Sequence, residues 1–390
     1  MDEVRMVRDR YPEPAPPTAR EIARAKALLS KPPRRSRPRL RWGLGGGVVA
    51  VGAAAAVALA LVGGNTPAPP RPSGPVRLDD KGLVLAAAEK AEQQPAGNYW
   101  HTDVVQGQSF IVRPKTGTYA ITGALDEMFS WWGAKSGMGE GHYGRDLAAR
   151  PATERDTALW RKAGSPSSFH VWAGDHYDNY TTKTQKWQMD GPERGTDPHG
   201  GGHFVGAAGK SVEDLQNLPT DSAKLAEMFL SDKALGERLS PMGKRAPVPR
   251  RIPPAVRVHM AGALAAAPVP PKVRAGLMRA AAGQPGVHAI GRDTDPLRRQ
   301  GVALASDDTA STWTGEYGGT KADRGTYRSR LVIIFDQHTG AMLSEQTELT
   351  KPGGPYAEMK PGFIIDYVAY RSTGWTDDKP TTPPAALPFD

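Results

Sequence analysis

The chain has no cysteine among its 390 residues. That excludes disulfides, thiolate metal sites, cysteine nucleophiles and an acylated lipoprotein cysteine in one step. Long apolar runs are scarce as well: Gly43 to Val62 (GLGGGVVAVGAAAAVALALV) is the one stretch free of charge and strong polarity over twenty residues. At about 1.5 Å per residue, such a helix spans the roughly 30 Å hydrocarbon core of a bilayer. Charge is unevenly distributed too. The formal net charge is +9, but residues 1–42 hold twelve Lys/Arg against five Asp/Glu, leaving only +2 for the remaining 348 residues. The basicity is therefore a property of the segment before the apolar run, and nucleic-acid binding is not indicated.

The apolar run contains five Gly, seven Ala, five Val and three Leu, so its hydrophobicity is modest and the assignment rests on length and flanks together. Lys31, Arg34, Arg35, Arg37, Arg39 and Arg41 precede it, whereas residues 63–80 carry only Arg71 and Arg77 among basic residues. That asymmetry predicts a single-pass cell-membrane protein with its N-terminus in the cytoplasm and its C-terminal domain extracytoplasmic. The helix and its basic flank would contact membrane lipid. A cleaved secretory signal is the alternative, although a 42-residue leader is long for one.

Residues 1–42 form a cytoplasmic arm. Within it Thr18 and Glu21 make a capping box for a short helix, which either tidies the leader or docks a cytoplasmic protein partner. Residues 63–77 are a Pro-rich spacer. Residues 78–376 are expected to be an extracytoplasmic α+β domain, and 377–390 a disordered tail.

In the large domain, helices are expected at 78–93, 219–232 (capped by Thr220 or Asp221), 253–267 and 270–283, the last two opened by prolines. Strands are expected near 98–105, 108–113, 117–122, 168–173, 176–189, 287–290 and 302–305. The hairpin YRSRLVIIFDQHTGAMLSEQTEL turns at Gly340, and GFIIDYVAYRS would pair beside it. This order argues for a mainly antiparallel, curved sheet with packed helices rather than alternating βαβ units.

The sequence offers no cofactor motif in a credible context. Gly139, Gly141 and Gly144 satisfy G-x-G-x-x-G without a preceding apolar strand. His199-Gly-Gly-Gly-His203 echoes the oxyanion segment of esterases, but no G-x-S-x-G elbow occurs in the chain. His199 and His203 could share a metal with Asp197, or simply sit in a glycine-rich loop. Asp175, His176 and Asp178 could be a carboxylate site or turn residues, and Asn179 opens a sequon by pattern. Trp100, Trp131, Trp132, Trp160, Trp172, Trp187 and Trp313 could line a cavity for an apolar or amphipathic ligand or fill the core. Met128–Gly141 reads as the start of a loop, with one of the paired tryptophans exposed. No catalytic, cofactor-binding or metal residue is assigned and no cofactor is expected, so the chain is read as non-enzymatic.

The order of parts resembles a family of actinobacterial single-pass membrane proteins of unknown function. The likeness lies in MDEVRMVRD, the Arg-rich stop, the Ala/Gly/Val span, Leu218-Pro219-Thr220-Asp221, Pro253 to Arg257, Pro285-Gly286-Val287, Gly301-Val302-Ala303 and the hairpin from Leu331 to Gly340. Members often look like partners of extracytoplasmic-function sigma factors, which implies a signalling role. The arm here is shorter than the usual helical anti-sigma domain. The strand and helix order is also similar to the curved half-barrel of lipoprotein carriers and envelope-stress regulators, a likeness of fold that carries no site with it. The single anchor, the spacer and the tryptophan-rich sheet lead to the expectation of an outer domain that binds a ligand or a protein.

Overall fold

A computed structural model describes residues 78–173, 176–190, 196–204, 210–239, 251–316, 318, 320–380 and 382–389. The arm, the apolar run and the spacer lie outside these residues. Among the described residues no helix is long and apolar enough to cross a membrane.

The domain is α+β, as expected. Its centre is a twelve-stranded antiparallel sheet in the order β7-β3-β2-β1-β14-β13-β12-β10-β9, with β11 beside β12, β4 beside β2 and β8 beside β3. The strands are β1 Tyr99–Val112, β2 Tyr119–Gly133, β3 Glu140–Asp146, β4 Arg150–Pro151, β7 Gln188–Asp190 and β8 Thr196–Asp197. The second half adds β9 Val287–Thr294, β10 Gln300–Ser306, β11 Thr309–Trp313, β12 Gly325–Phe335, β13 Met342–Lys351 and β14 Ile364–Thr376. β5 (Ser168–Trp172) and β6 (Tyr177–Thr181) form a separate hairpin.

The first and last strands, β1 and β14, meet in the middle of the sheet. β14 pairs with β1 on one side and β13 on the other, so the expected neighbour of the Leu331–Gly340 hairpin also joins the two halves of the domain. Val302 faces Phe335 and Leu304 faces Ile333, placing these apolar residues on one face. Helices α1 (Leu78–Glu92), α6 (Pro254–Ala265) and α7 (Pro271–Ala282) cover that face over β9, β10, β12 and β13. Before them come α2 (Glu154–Lys162), α3 (Val212–Gln216), α4 (Ser222–Leu225, continued as a π-helical turn to Leu230) and α5 (Asp232–Leu239). The resulting core joins Val84, Ala87, Ala88 and Ala91 of α1 to Val258, Leu264, Leu277 and the inward sheet residues. Alanine on α1 permits close approach, and Gly340 at φ +65° exploits it. A Cβ there would lie 2.5 Å from the Ala87 carbonyl oxygen.

Prolines 254 and 271 open α6 and α7 at positions where the missing N–H costs nothing. Asp221, one of the two expected caps, accepts from the Lys224 N–H at 2.9 Å. Buried Arg257 ties α6 to the preceding helices by donating to the carbonyls of Ile252 and Leu230 and pairing with Asp232.

Several expectations need correction. The strands expected at 98–105 and 108–113 are one strand with a register shift between Gln106 and Gln108. β2 runs through Trp131 and Trp132 to Gly133, where a loop was expected, and its partner β3 uses the glycine-rich segment after Gly139. Here pairing on both edges outweighs the local loop composition. Helix α2 was not foreseen, although Thr153 and Asp156 form its N-cap. Residues 382–389, expected to be disordered, instead pack on the sheet: Leu387 and Phe389 lie against Leu125, Leu147 and Tyr367.

Candidate functional site

The glycine-rich segments singled out in the sequence have packing roles. Gly139 and Gly141 flank the ring of Trp131, which is 2 % exposed. A Cβ on Gly141 would lie 2.4 Å from the Trp131 Nε1 atom, so this strand must be bare there for the ring to fit. In the His199–His203 loop, Gly137 and Gly139 donate backbone N–H groups to the Gly200 carbonyl, and Gly202 donates to Gly133. Gly201 adopts φ +91°, and its N–H meets Glu140 Oε2 at 3.2 Å. Asp197 accepts from the His199 backbone N–H rather than meeting its ring. Among the described residues no group of three His, Cys, Asp or Glu side chains could hold a metal ion.

Asp175 lies outside the described residues. His176 and Asp178 are exposed and 3.2 Å apart, and Asp178 also accepts from the Tyr180 hydroxyl. Asn179 meets the His170 ring at 2.9 Å on the exposed side of the small hairpin.

The tryptophans divide. Trp100 and Trp131 are core residues, whereas Trp132 is half-buried on the helix-bearing side, edge-on to His142 and to Phe204 at 5.3 and 5.1 Å. Adjacent rings on a strand must face opposite sides, which is how one of the pair comes to remain partly open.

That open ring marks one end of the most suggestive surface. The large helices cover β9, β10, β12 and β13, and at the far end Tyr180 of the small hairpin packs on Phe110 and Gly123. Between these two covers the same face continues over β14, β1 and β2. Register places Tyr370 beside Val104 and Met128, Val368 beside Gln106 and Asp126, and Asp366 beside Gln108 and Thr347. Val104 and Val368 are buried, Tyr370 packs on the helix-covered core, and Gln106, Gln108, Asp126, Met128, Thr347 and Asp366 are half-buried. Helix α6 overhangs one side, where His259 Nδ1 meets Glu345 Oε1 at 2.7 Å.

The electrostatics of this surface are unusual for a sheet face. Burial pushes the Asp126 carboxyl up to about 7 despite the Gln106 amide that donates to it at 2.8 Å, and Asp146 adds to the rise. Burial likewise pushes Asp366 up to about 6, opposed by the Thr347 hydroxyl at 2.8 Å and assisted by Glu345. The Glu345 charge raises His259 against its burial. Gln106 Oε1 is buried without a hydrogen-bond partner. Strand β1 separates the Asp126 and Asp366 strands, so the two backbones are about 10 Å apart. The two carboxyls therefore do not share a proton, and each is a separate acceptor that is charged or neutral near physiological pH.

On the opposite face the charges are paired. Glu127, fully buried, accepts from Arg145 Nε at 2.6 Å and from Arg371 Nη1 at 2.6 Å. Burial and the neighbouring Glu127 raise the carboxyl of Asp103, whose Oδ1 has no partner. The network lies under the C-terminal segment, and both arginines also reach the Ala386 carbonyl.

The sequence reading missed Asp126, Asp366, Glu345 and His259, which are far apart in the chain. The available signal was polar residues on alternate positions of otherwise apolar strands, as in IIDYVAY, where Asp366 and Tyr370 share a face with Val368. Comparison with protein-family models, with curated proteins and with solved structures finds no match to this chain.

Proposed function

We propose that this is a single-pass, membrane-anchored envelope protein, non-enzymatic, whose extracytoplasmic α+β domain binds an amphipathic ligand on the face of β14, β1 and β2 that the described large helices leave uncovered. The observation that carries the reading is the pair of desolvated but still water-accessible carboxyls, Asp126 and Asp366, beside the apolar atoms of Met128, Val368 and Tyr370. A surface held in that state disfavours carboxylate charge in the empty protein and gains from a cation or hydrogen-bond donor that restores it. The ligand class is accordingly an apolar chain carrying an amine or several hydroxyls, placed near the lipid surface by the anchor and spacer at 43–62 and 63–77.

The test is titration of residues 78–390 with dodecylamine and with dodecanoate, followed by tryptophan fluorescence. Saturable binding of the amine, weakened about tenfold in Asp126→Asn and absent for the carboxylate, supports the reading; an order of ten corresponds to one lost charge-assisted contact. Equal partitioning of both chains, unaffected by the substitution, overturns it.

A further inference from the structure

The C-terminal segment is held in an unusual way. No backbone ladder joins residues 382–389 to a strand among the described residues. Side chains on and beside the sheet instead donate to the segment's carbonyls. Trp187 Nε1 donates to the Pro384 carbonyl at 3.0 Å, and Arg145 Nη2 and Arg371 Nη1 converge on the Ala386 carbonyl at 3.0 and 3.1 Å. The Arg150 guanidinium lies over the Phe389 ring at 4.0 Å. An indole N–H and two guanidinium groups thus meet the backbone carbonyls of a proline-containing segment, which is side-chain recognition of a peptide backbone.

The receiving groups do not depend on the segment for their positions. Arg145 and Arg371 are both fixed by the buried carboxylate of Glu127, and Arg145 also lies over the Trp187 ring at 4.4 Å. The donors are therefore preorganised by the sheet, and what occupies them is a short, linear segment attached at one end.

We propose that this surface is a peptide-docking groove, filled in cis by the chain's own PPAALPF segment and able to take the same segment from a second copy of the chain. The one peptide seated in it is this sequence, so a second copy supplies an occupant of identical complementarity. The groove lies on the face opposite the proposed ligand surface, and its failure would leave that reading untouched.

The experiment introduces a protease site between Lys379 and Pro383 of the full chain and cuts it in the folded protein. A fluorescent peptide of residues 377–390 is then added. The proposal expects saturable exchange of the peptide with the cut segment and no exchange in the uncut chain at low peptide. Trp187→Phe, which keeps an aromatic ring but loses the N–H, weakens peptide binding roughly five-fold, the worth of one net hydrogen bond. A peptide of residues 65–75 serves as the proline-rich control and is expected not to compete. Two results overturn the proposal: the cut chain loses its fold when the segment leaves, or the segment never exchanges. Either makes it a structural strap only.

Discussion

Replacing Asp126 by Asn should stabilise the domain above neutral pH while weakening its proposed ligand binding. The Asp126 carboxyl rises from 3.8 to about 7, mainly through burial. At about 1.4 kcal/mol for each pKa step, a displacement of about three corresponds to at most about 4 kcal/mol against the charged form. Water still reaches the side chain, so about half that figure is the realistic cost. Asparagine keeps an oxygen to accept from Gln106, and the weaker neutral bond returns about 1 kcal/mol of the gain. A net stabilisation of about 1 kcal/mol is left at pH 8. The sign follows from proton uptake. Between roughly pH 4 and 7 the folded chain holds a proton that the unfolded chain has released, so the wild type loses stability as pH rises through that window and then levels off. Below pH 4 both states are protonated and the variant gains nothing. Urea unfolding of wild type and variant at pH 4, 6 and 8 measures this directly. A stability difference of the same sign and size at all three pH values would mean that no desolvated charge is present at Asp126.

Other expectations follow from single contacts. Glu127→Ala leaves Arg145 and Arg371 without their shared buried acceptor and should cost about 3 kcal/mol or more, measured by the same unfolding curves. Trp131→Ala empties a fully packed site beside Gly141 and should cost about 3–5 kcal/mol, whereas Trp131→Phe should cost less because the Nε1 proton has no partner to lose. Gly201→Ala combines a backbone at φ +91° with a Cβ only 2.7 Å from the Lys135 carbonyl, and a loss of about 1–3 kcal/mol in thermal unfolding is expected.

Much of the fold was legible because the strongest signals were local. The proline-opened helices α6 and α7, the Gly340 hairpin and β14 each carry their own start, stop or turn chemistry. The segment from Met128 to Gly141 was misread for the opposite reason. Its glycines look like loop residues, yet Gly141 is bare to admit Trp131, a requirement set by a residue on the neighbouring strand. The tail was misread similarly: PPAALPFD has no periodicity of its own and is ordered by Arg145, Trp187 and Arg371. The candidate site was illegible because it is a product of register. Nothing in the chain announces that Asp126 and Asp366 flank β1 on one face until the bulge after Gln106 and the β1–β14 pairing are known.

The central claim is that the face of β14, β1 and β2 is an open, carboxyl-bearing ligand surface. The absence of native cysteine permits a clean probe: Met128→Cys places a single thiol there, and its labelling by a small maleimide reports whether the face is accessible. Rapid labelling is expected in the empty domain, suppressed by dodecylamine and restored when Asp126 is also changed to Asn. A thiol that labels only on unfolding, or one that the amine never protects, would contradict it.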